Sequence, residues 1–219
     1  MKKVLFCLAA TALLATGCSG GNSYKVSEKK FNAEVADYGV VLNNNARFEG
    51  TAVMGLTNTL TVEVDSEGDT AKFKVHQAVE GEGEMVSYQQ VDKNEDNTYN
   101  ITWIRKGFGE TSYTKLNYDN LTWEDAKSYI MECVYIPSAP FKNFEFDSKE
   151  NIYECDSYTT SIRDEGVTLA IVYTNIKVQF KDNRLFSIGF SLQSGEMQGS
   201  AQMEKTQTGG VIVTLPTIS

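Results

Sequence analysis

The sequence predicts a mainly β, α+β protein: a meandering antiparallel sheet of about ten strands with two short helices packed on it. Three observations predict it. Beyond residue 60, apolar and polar residues alternate in short runs, the period-two signature of strands with one wet face. The connections between those runs are short, so neighbouring strands pair antiparallel. Only two stretches repeat at helical spacing. The length of 219 residues and hydrophobic content of 41% suit one globular domain with a sizeable core.

The chain opens MKKVLFCLAATALLATGCSGG. Lys2 and Lys3 form a positive start. Val4 to Leu14 is an apolar run of eleven residues, well short of the ~20 that span a bilayer as a helix. It ends in Ala15-Thr16-Gly17-Cys18, which resembles the lipobox of bacterial lipoproteins, with Ala15 standing where leucine is commoner. The resemblance implies cleavage before Cys18 and diacylglycerol on its sulfur. The acyl chains then hold the protein on the extracytoplasmic face of the cell membrane. Ala15-Thr16-Gly17 also suits the ordinary secretory peptidase, which cuts the same bond, so only the lipid separates the two readings. Gly17 leans towards a Gram-positive envelope; in a Gram-negative host, Ser19 carries no inner-membrane retention signal, and the outer membrane is expected. Residues 1–17 are a removed signal peptide that takes Cys7 with it. Residues 18–25 are the lipidated cysteine and a Ser/Gly/Asn tether of coil character. Residues 26–216 form the single β-rich domain.

The first mature element is a helix in VSEKKFNAEVADYG. Ser27 caps it, Val26 and Phe31 occupy the two staple positions, and Gly39 marks its stop. LTVEV and AKFKV follow as a hairpin around residues 65–69, with Leu60, Val62, Val64, Ala71, Phe73 and Val75 on one face. MVSYQQV and TYNITWIRK bracket Asp92 to Asn97 as a second hairpin, and TSYTKLNY adds a strand. Thr122 caps a second helix, WEDAKSYIMECV, whose stripe is Trp123, Ala126, Ile130 and Cys133/Val134. Glu124 and Asp125 sit at the positive end of its dipole. Pro137 and Pro140 prevent continuation. FKNFEF and NIYECDSY read as short strands. VTLAIVY, NIKVQFK, LFSIGFSL, GSAQMEK and VIVTLP read as the clearest sheet. At KDNR, a two-residue turn alone pairs Val178 with Ser187. A three-residue loop or an equivalent bulge pairs Val178 with Ile188, gathers the apolar side chains and is the expected register.

This pattern behind a lipobox resembles the half-barrel of LolA/LppX-type lipoproteins. The resemblance implies a curved sheet wrapped around helices and able to enclose acyl chains. It is one of architecture across residues 26–216 and transfers no binding residue.

The chain carries 20 basic and 29 acidic residues, a net charge of −9. Removal of residues 1–17 takes two lysines and no acid, which leaves −11 on the mature chain of 202 residues. Such a protein disfavours nucleic acid and anionic headgroups. His76 is the single histidine and falls on a polar strand face with Lys72 and Lys74, which excludes a two-histidine metal site. Asp92, Asn94 and Asp96 share the early spacing of a calcium loop. Asn97 stands where that loop needs glycine and Trp103 where it needs a bidentate acid, so a hairpin turn is expected. Glu80, Glu82 and Glu84 read as a solvated loop. Glu145 and Asp147 share a strand face because Phe144 and Phe146 take the other. No metal, cofactor or catalytic set is expected. Cys133 and Cys155 form either a disulfide, permitted outside the cytoplasm, or two buried thiols.

The aromatic rows remain. Tyr99, Ile101 and Trp103 share one face, and Phe186, Ile188 and Phe190 another. Core packing is the ordinary reading. A curved sheet can instead leave part of this surface, with Trp123 and Ile130, as a groove for an acyl chain. The expected function is therefore a membrane-anchored binding module for a lipid or other apolar ligand, not an enzyme. The alternative is a structural or interaction lipoprotein of the envelope with no small ligand.

Overall fold

A computed structural model describes residues 24–38, 45–130, 137, 139–164 and 167–218. Helix α1 (Glu28–Tyr38) precedes six strands: β1 (Ala46–Met54), β2 (Leu56–Glu67), β3 (Thr70–Val79), β4 (Gly83–Lys93), β5 (Tyr99–Lys106) and β6 (Thr114–Leu121). Helix α2 (Trp123–Tyr129) and a 3-10 turn (Phe141–Asn143) follow. The chain then forms β7 (Glu145–Asp147), β8 (Ile152–Asp164), β9 (Val167–Lys181), β10 (Arg184–Ser194) and β11 (Met197–Thr208).

All eleven strands belong to one curved, unclosed antiparallel sheet, in the order β6-β5-β4-β3-β2-β1-β11-β10-β9-β8-β7. This is the expected architecture with one strand more than about ten. Two meanders, β1–β6 and β7–β11, meet where β1 pairs with β11. Strands β6 and β7 are successive in the chain yet lie at opposite edges. The segment 122–144, which includes α2, therefore runs from one edge of the sheet to the other.

The KDNR hairpin resolves the register question by physical compromise. Asp182 and Asn183 both take positive φ, 53° and 60°, the demand of a two-residue turn matched to strand twist. Phe180 thus pairs with Leu185, and a bulge then restores Val178 opposite Ile188. Leu185, not Phe186, joins Ile188 and Phe190 in the buried row. The expectation that Phe186 shares their face is corrected: Lys181 Nζ lies 5.4 Å from its ring centroid instead. VTLAIVY and NIKVQFK are one strand, β9. Asn175, at φ 52°, bulges it so that Tyr173 and Ile176 are both buried.

Three further expectations change. ARFEGTAVM forms β1, where no strand was expected. FKNFEF contributes only the 3-10 turn and the three residues of β7. VIVTLP is not a strand, because side chains take the donors that a ladder would use. Val211 N–H donates to Asn45 Oδ1 at 2.8 Å and Val213 N–H to Asp65 Oδ2 at 3.0 Å. Asn45 Nδ2 donates in return to Val211 O at 2.9 Å. The positions of Gly39, Cys133 and Val134 lie outside the described residues.

Helix α1 begins as its sequence dictates. Ser27 Oγ accepts from Lys30 N–H at 3.3 Å, and the staple residues Val26 and Phe31 are both buried. Phe31 inserts among Phe141, Phe144, Tyr153 and Phe180, with centroids 5.0–5.5 Å away. The Tyr153 hydroxyl fixes the entry to the helix. It accepts from Val26 N–H and donates to Val26 O, both at 2.8 Å. In α2, Thr122 Oγ1 accepts from Asp125 N–H at 3.2 Å, the expected cap. Ala126 is fully buried.

Glu34 ties α1 to the β10 bulge. Its Oε2 accepts from Leu185 N–H at 2.9 Å and its Oε1 from Lys30 Nζ at 2.7 Å. Burial alone raises its pKa, but Lys30 and the Leu185 amide outweigh burial and hold the carboxyl below the ordinary glutamate range. A lowered folded pKa gives stability that is full above the unfolded value and lost as pH falls through the folded one. We expect Glu34→Gln to cost about 1 kcal/mol at neutral pH, the worth of a charge-assisted bond discounted for solvent screening. Urea denaturation across pH checks this: the deficit fades on acidification, and a deficit that grows there contradicts the assignment.

Candidate functional site

Burial is unevenly distributed along the first four strands. On β1 the buried residues are the first, Ala46 and Phe48; on β2 they are the last, Val62 and Val64. On β3 they are Ala71, Phe73 and Val75 near its start, and on β4 Ser87, Gln89 and Val91 near its end. Because successive strands run in opposite directions, these residues all lie towards one end of the sheet, on its inner face. The helices cover that end. Phe31 of α1 fills it over β8–β10, and α2 lies against β5 and β6.

Towards the other end the same face is incompletely covered. Leu60, Leu192, Ala201 and Met203 are only partly buried there. At the rim Met54 is 52% exposed, Leu56 47% and Met197 51%. On β9 and β10 the buried row extends further, to Tyr173 and Phe190, whose rings meet edge-on at 5.5 Å. The result is an apolar concavity floored by β1, β2 and β11, with the Tyr173–Phe190 pair to one side. Gly50 and Gly199 lie on this face at the β1–β11 seam. A Cβ on Gly199 would meet Met54 Cγ and Val53 O at 2.8 Å, so the glycine permits the close approach.

At the covered end, on β4 and β5, the inner face is polar beneath its aromatic residues. Ser87 and Gln89 are the buried polar residues of the described chain. Trp103 Nε1 donates to Ser87 Oγ at 2.6 Å, and Gln89 Nε2 donates to Tyr129 O at 2.7 Å. The Arg105 guanidinium stacks on Trp103, 5.6 Å from its centroid. Sequence reading missed Ser87 and Gln89. In MVSYQQV, hydropathy favours Val86 and Tyr88 as the inner residues, whereas Tyr88 lies on the outer face, edge-on to Tyr113 at 6.2 Å.

The structure divides the residues expected to form an apolar surface. Tyr99, Ile101, Trp103, Trp123 and Ile130 gather around β5 and α2. Tyr99 meets Trp123 at 5.3 Å, and Ile101 is buried. Ile188 and Phe190 belong to the far part of the sheet, and Phe186 stands half-buried in the β10 bulge, outside the buried row. Cys18 and Cys133 lie outside the described residues. Cys155 is a buried free thiol whose pKa burial pushes up, and its Sγ–H donates to Ser157 O at 3.4 Å.

The acidic segments serve turns. Asp96 Oδ1 accepts from Thr98 N–H and Oγ1–H at 3.0 and 2.6 Å, which lowers its pKa. Asp147 Oδ1 likewise accepts from the amides of Lys149 and Glu150. Glu80 to Glu82 form the β3–β4 turn, with Gly81 and Gly83 at positive φ. His76 Nε2 lies 3.2 Å from Glu84 Oε2 on the outer face.

No protein-family model matches this chain, and comparison with curated proteins finds no match. Among solved structures it is similar to a beta-barrel-like protein of the domain of unknown function DUF1849 from Brucella abortus. That likeness has 10% identity, 75% coverage of this chain, 98% coverage of the other and a TM-score of 0.24. A likeness this weak carries neither fold nor function across.

Removal of the Ser87 hydroxyl leaves the Trp103 indole N–H without this acceptor. We expect Ser87→Ala to cost about 1–2 kcal/mol in the wild-type background and much less beside Trp103→Phe. A double-mutant cycle by urea denaturation measures the difference. Equal costs in both backgrounds contradict the pairing.

Proposed function

We propose that the protein is a binding module for an apolar ligand, a lipid above all, rather than an enzyme. The ligand occupies the open half of the concave face. One observation carries this reading. Apolar side chains on the inner face of the sheet stay partly exposed at one end, while helices cover the same face at the other. Contiguous exposed apolar surface in a concavity is the ordinary setting for a ligand. The lipobox-like Ala15–Cys18 supplies the cellular context: diacylglycerol on Cys18 anchors the domain at the extracytoplasmic face of the cell membrane, within reach of lipid. Residues 19–25 serve as the tether.

The rim of Val53, Met54, Leu56 and Met197 supports a second reading, an interaction lipoprotein whose apolar surface meets another envelope protein. Native mass spectrometry of the protein extracted from its membrane separates the two. The binding reading expects a stoichiometric lipid adduct in addition to any anchor mass. It also expects N-phenylnaphthylamine to fluoresce on binding, and Ala201→Trp, which fills the concavity, to weaken that binding at least tenfold with the unfolding midpoint retained. A clean mass with no dye binding selects the interaction reading.

A further inference from the structure

Strand β6, Thr114–Leu121, is an edge of the sheet and pairs only with β5. The amides and carbonyls along its free side are a template for another strand. Pairing with β5 sets where its side chains point. Leu116 stands opposite Trp103 and Tyr118 opposite Ile101, both inner residues of β5. Strand alternation then puts Lys115, Asn117 and Asp119 on the outer face. Lys115, Leu116, Asn117 and Asp119 are all exposed. Neither Lys115 nor Asp119 has an ion-pair partner among the described residues. On the inner face Tyr129 of α2 packs on Tyr118, with ring centroids 4.3 Å apart, and extends the apolar surface beside Leu116. The regular stretch ends at Asn120, which takes φ 56° and donates its N–H to Asn100 Oδ1 at 2.9 Å.

We infer that β6 pairs antiparallel with β6 of a second copy of this chain, about a two-fold axis at Asn117, so that one sheet runs on into the other. In that register Lys115 faces Asp119 of the second copy and Leu116 faces Tyr118 of the second copy. The symmetry makes each pair twice. Opposite charges meet on the outer face and apolar side chains on the inner face, in a single register. A slide of two residues sets Lys115 against Asn117, or Asn117 against Asp119, and loses both ion pairs. Charge on an edge strand commonly blocks pairing. Here a lysine and an aspartate stand two residues to either side of one point, which makes the edge complementary to its own copy. The net charge of −9 opposes association of two copies, so the dimer depends on this local match. The inference is independent of the ligand reading, since it uses an edge of the sheet and not the concavity.

Sedimentation equilibrium of the mature protein in a density-matched detergent tests it. Pairing of so short an edge predicts a dimer with Kd on the order of micromolar. Lys115→Asp and Asp119→Lys each set like charges opposite one another and weaken the dimer roughly tenfold. The double variant Lys115→Asp/Asp119→Lys exchanges the signs, restores both pairs and returns Kd to within about threefold of the wild type. Both side chains are exposed, so the unfolding midpoint is retained in all three variants. Asn117→Cys supplies an independent readout, because it brings two thiols together on the axis. Mild oxidation in membranes is expected to join its copies, and to leave unjoined those of Lys93→Cys, an exposed position on β4. A wild-type chain that stays monomeric at about 100 µM overturns the inference. So does a dimer that neither single reversal weakens, or whose affinity the double reversal fails to regain. Equal cross-linking at positions 117 and 93 overturns it as well.

Discussion

The pairing of the first strand with the last is the constraint on which the rest of the structure depends. Residues 46–53 of β1 meet residues 200–208 of β11, separated by most of the chain. Without that seam the protein is two meanders of six and five strands, each with an additional long exposed edge. Closing such a seam costs loop entropy that its pairing and burial must offset. The seam is built accordingly. Its inner face carries Gly50, Ala52, Gly199 and Ala201, small residues that let the backbones and Met54 and Met203 come close. Phe48 anchors the covered end, under the Lys205 ammonium at 5.2 Å from its ring centroid.

The seam also sets where the sheet ends. It makes β6 and β7 the edges, although they follow one another in sequence, and so forces the chain to cross from one edge to the other. Strand β7 limits its exposed edge by being three residues long. Helix α2 lies on the crossing segment, and α1 covers the opposite flank at the same end. The aromatic cluster around Phe31 is the energetic weight of that end, since emptying a phenylalanine-sized space in a core costs about 3–5 kcal/mol. Among the described residues no comparable aromatic plug lies over Leu60 and Ala201, and the inner face is only partly buried there.

Much of this was legible in the residues. The hairpin β2–β3 could be read because one face is wet and the alternation is clean. Both helix caps, Ser27 and Thr122, could be read because they satisfy amides within a few residues of themselves. What escaped the sequence depended on distant partners. β1 hides because its inner residues at the seam are small rather than conspicuously apolar. VIVTLP imitates a strand because it is β-branched, yet Asn45 and Asp65 hold it by side chains from far away in the sequence. Phe186 was misplaced because a bulge moved Leu185 into the row. Ser87 and Gln89 were overlooked because hydropathy prefers Val86 and Tyr88, whereas pairing with the buried Val75 and Phe73 of β3 places the polar pair inside, where Trp103 and α2 satisfy them.

The central claim is that one half of the concave face is covered and the other is available to a ligand. Hydrogen exchange followed along the strands, with and without N-phenylnaphthylamine, tests it most directly. The account predicts slow exchange for residues 62–66, 71–75 and 87–91 in either state. It predicts faster exchange for residues 56–60 and 200–203, slowed when the dye is bound. Protection that is uniform along β2 and β11 and unchanged by the dye, or slowing confined to residues 209–216, would contradict it.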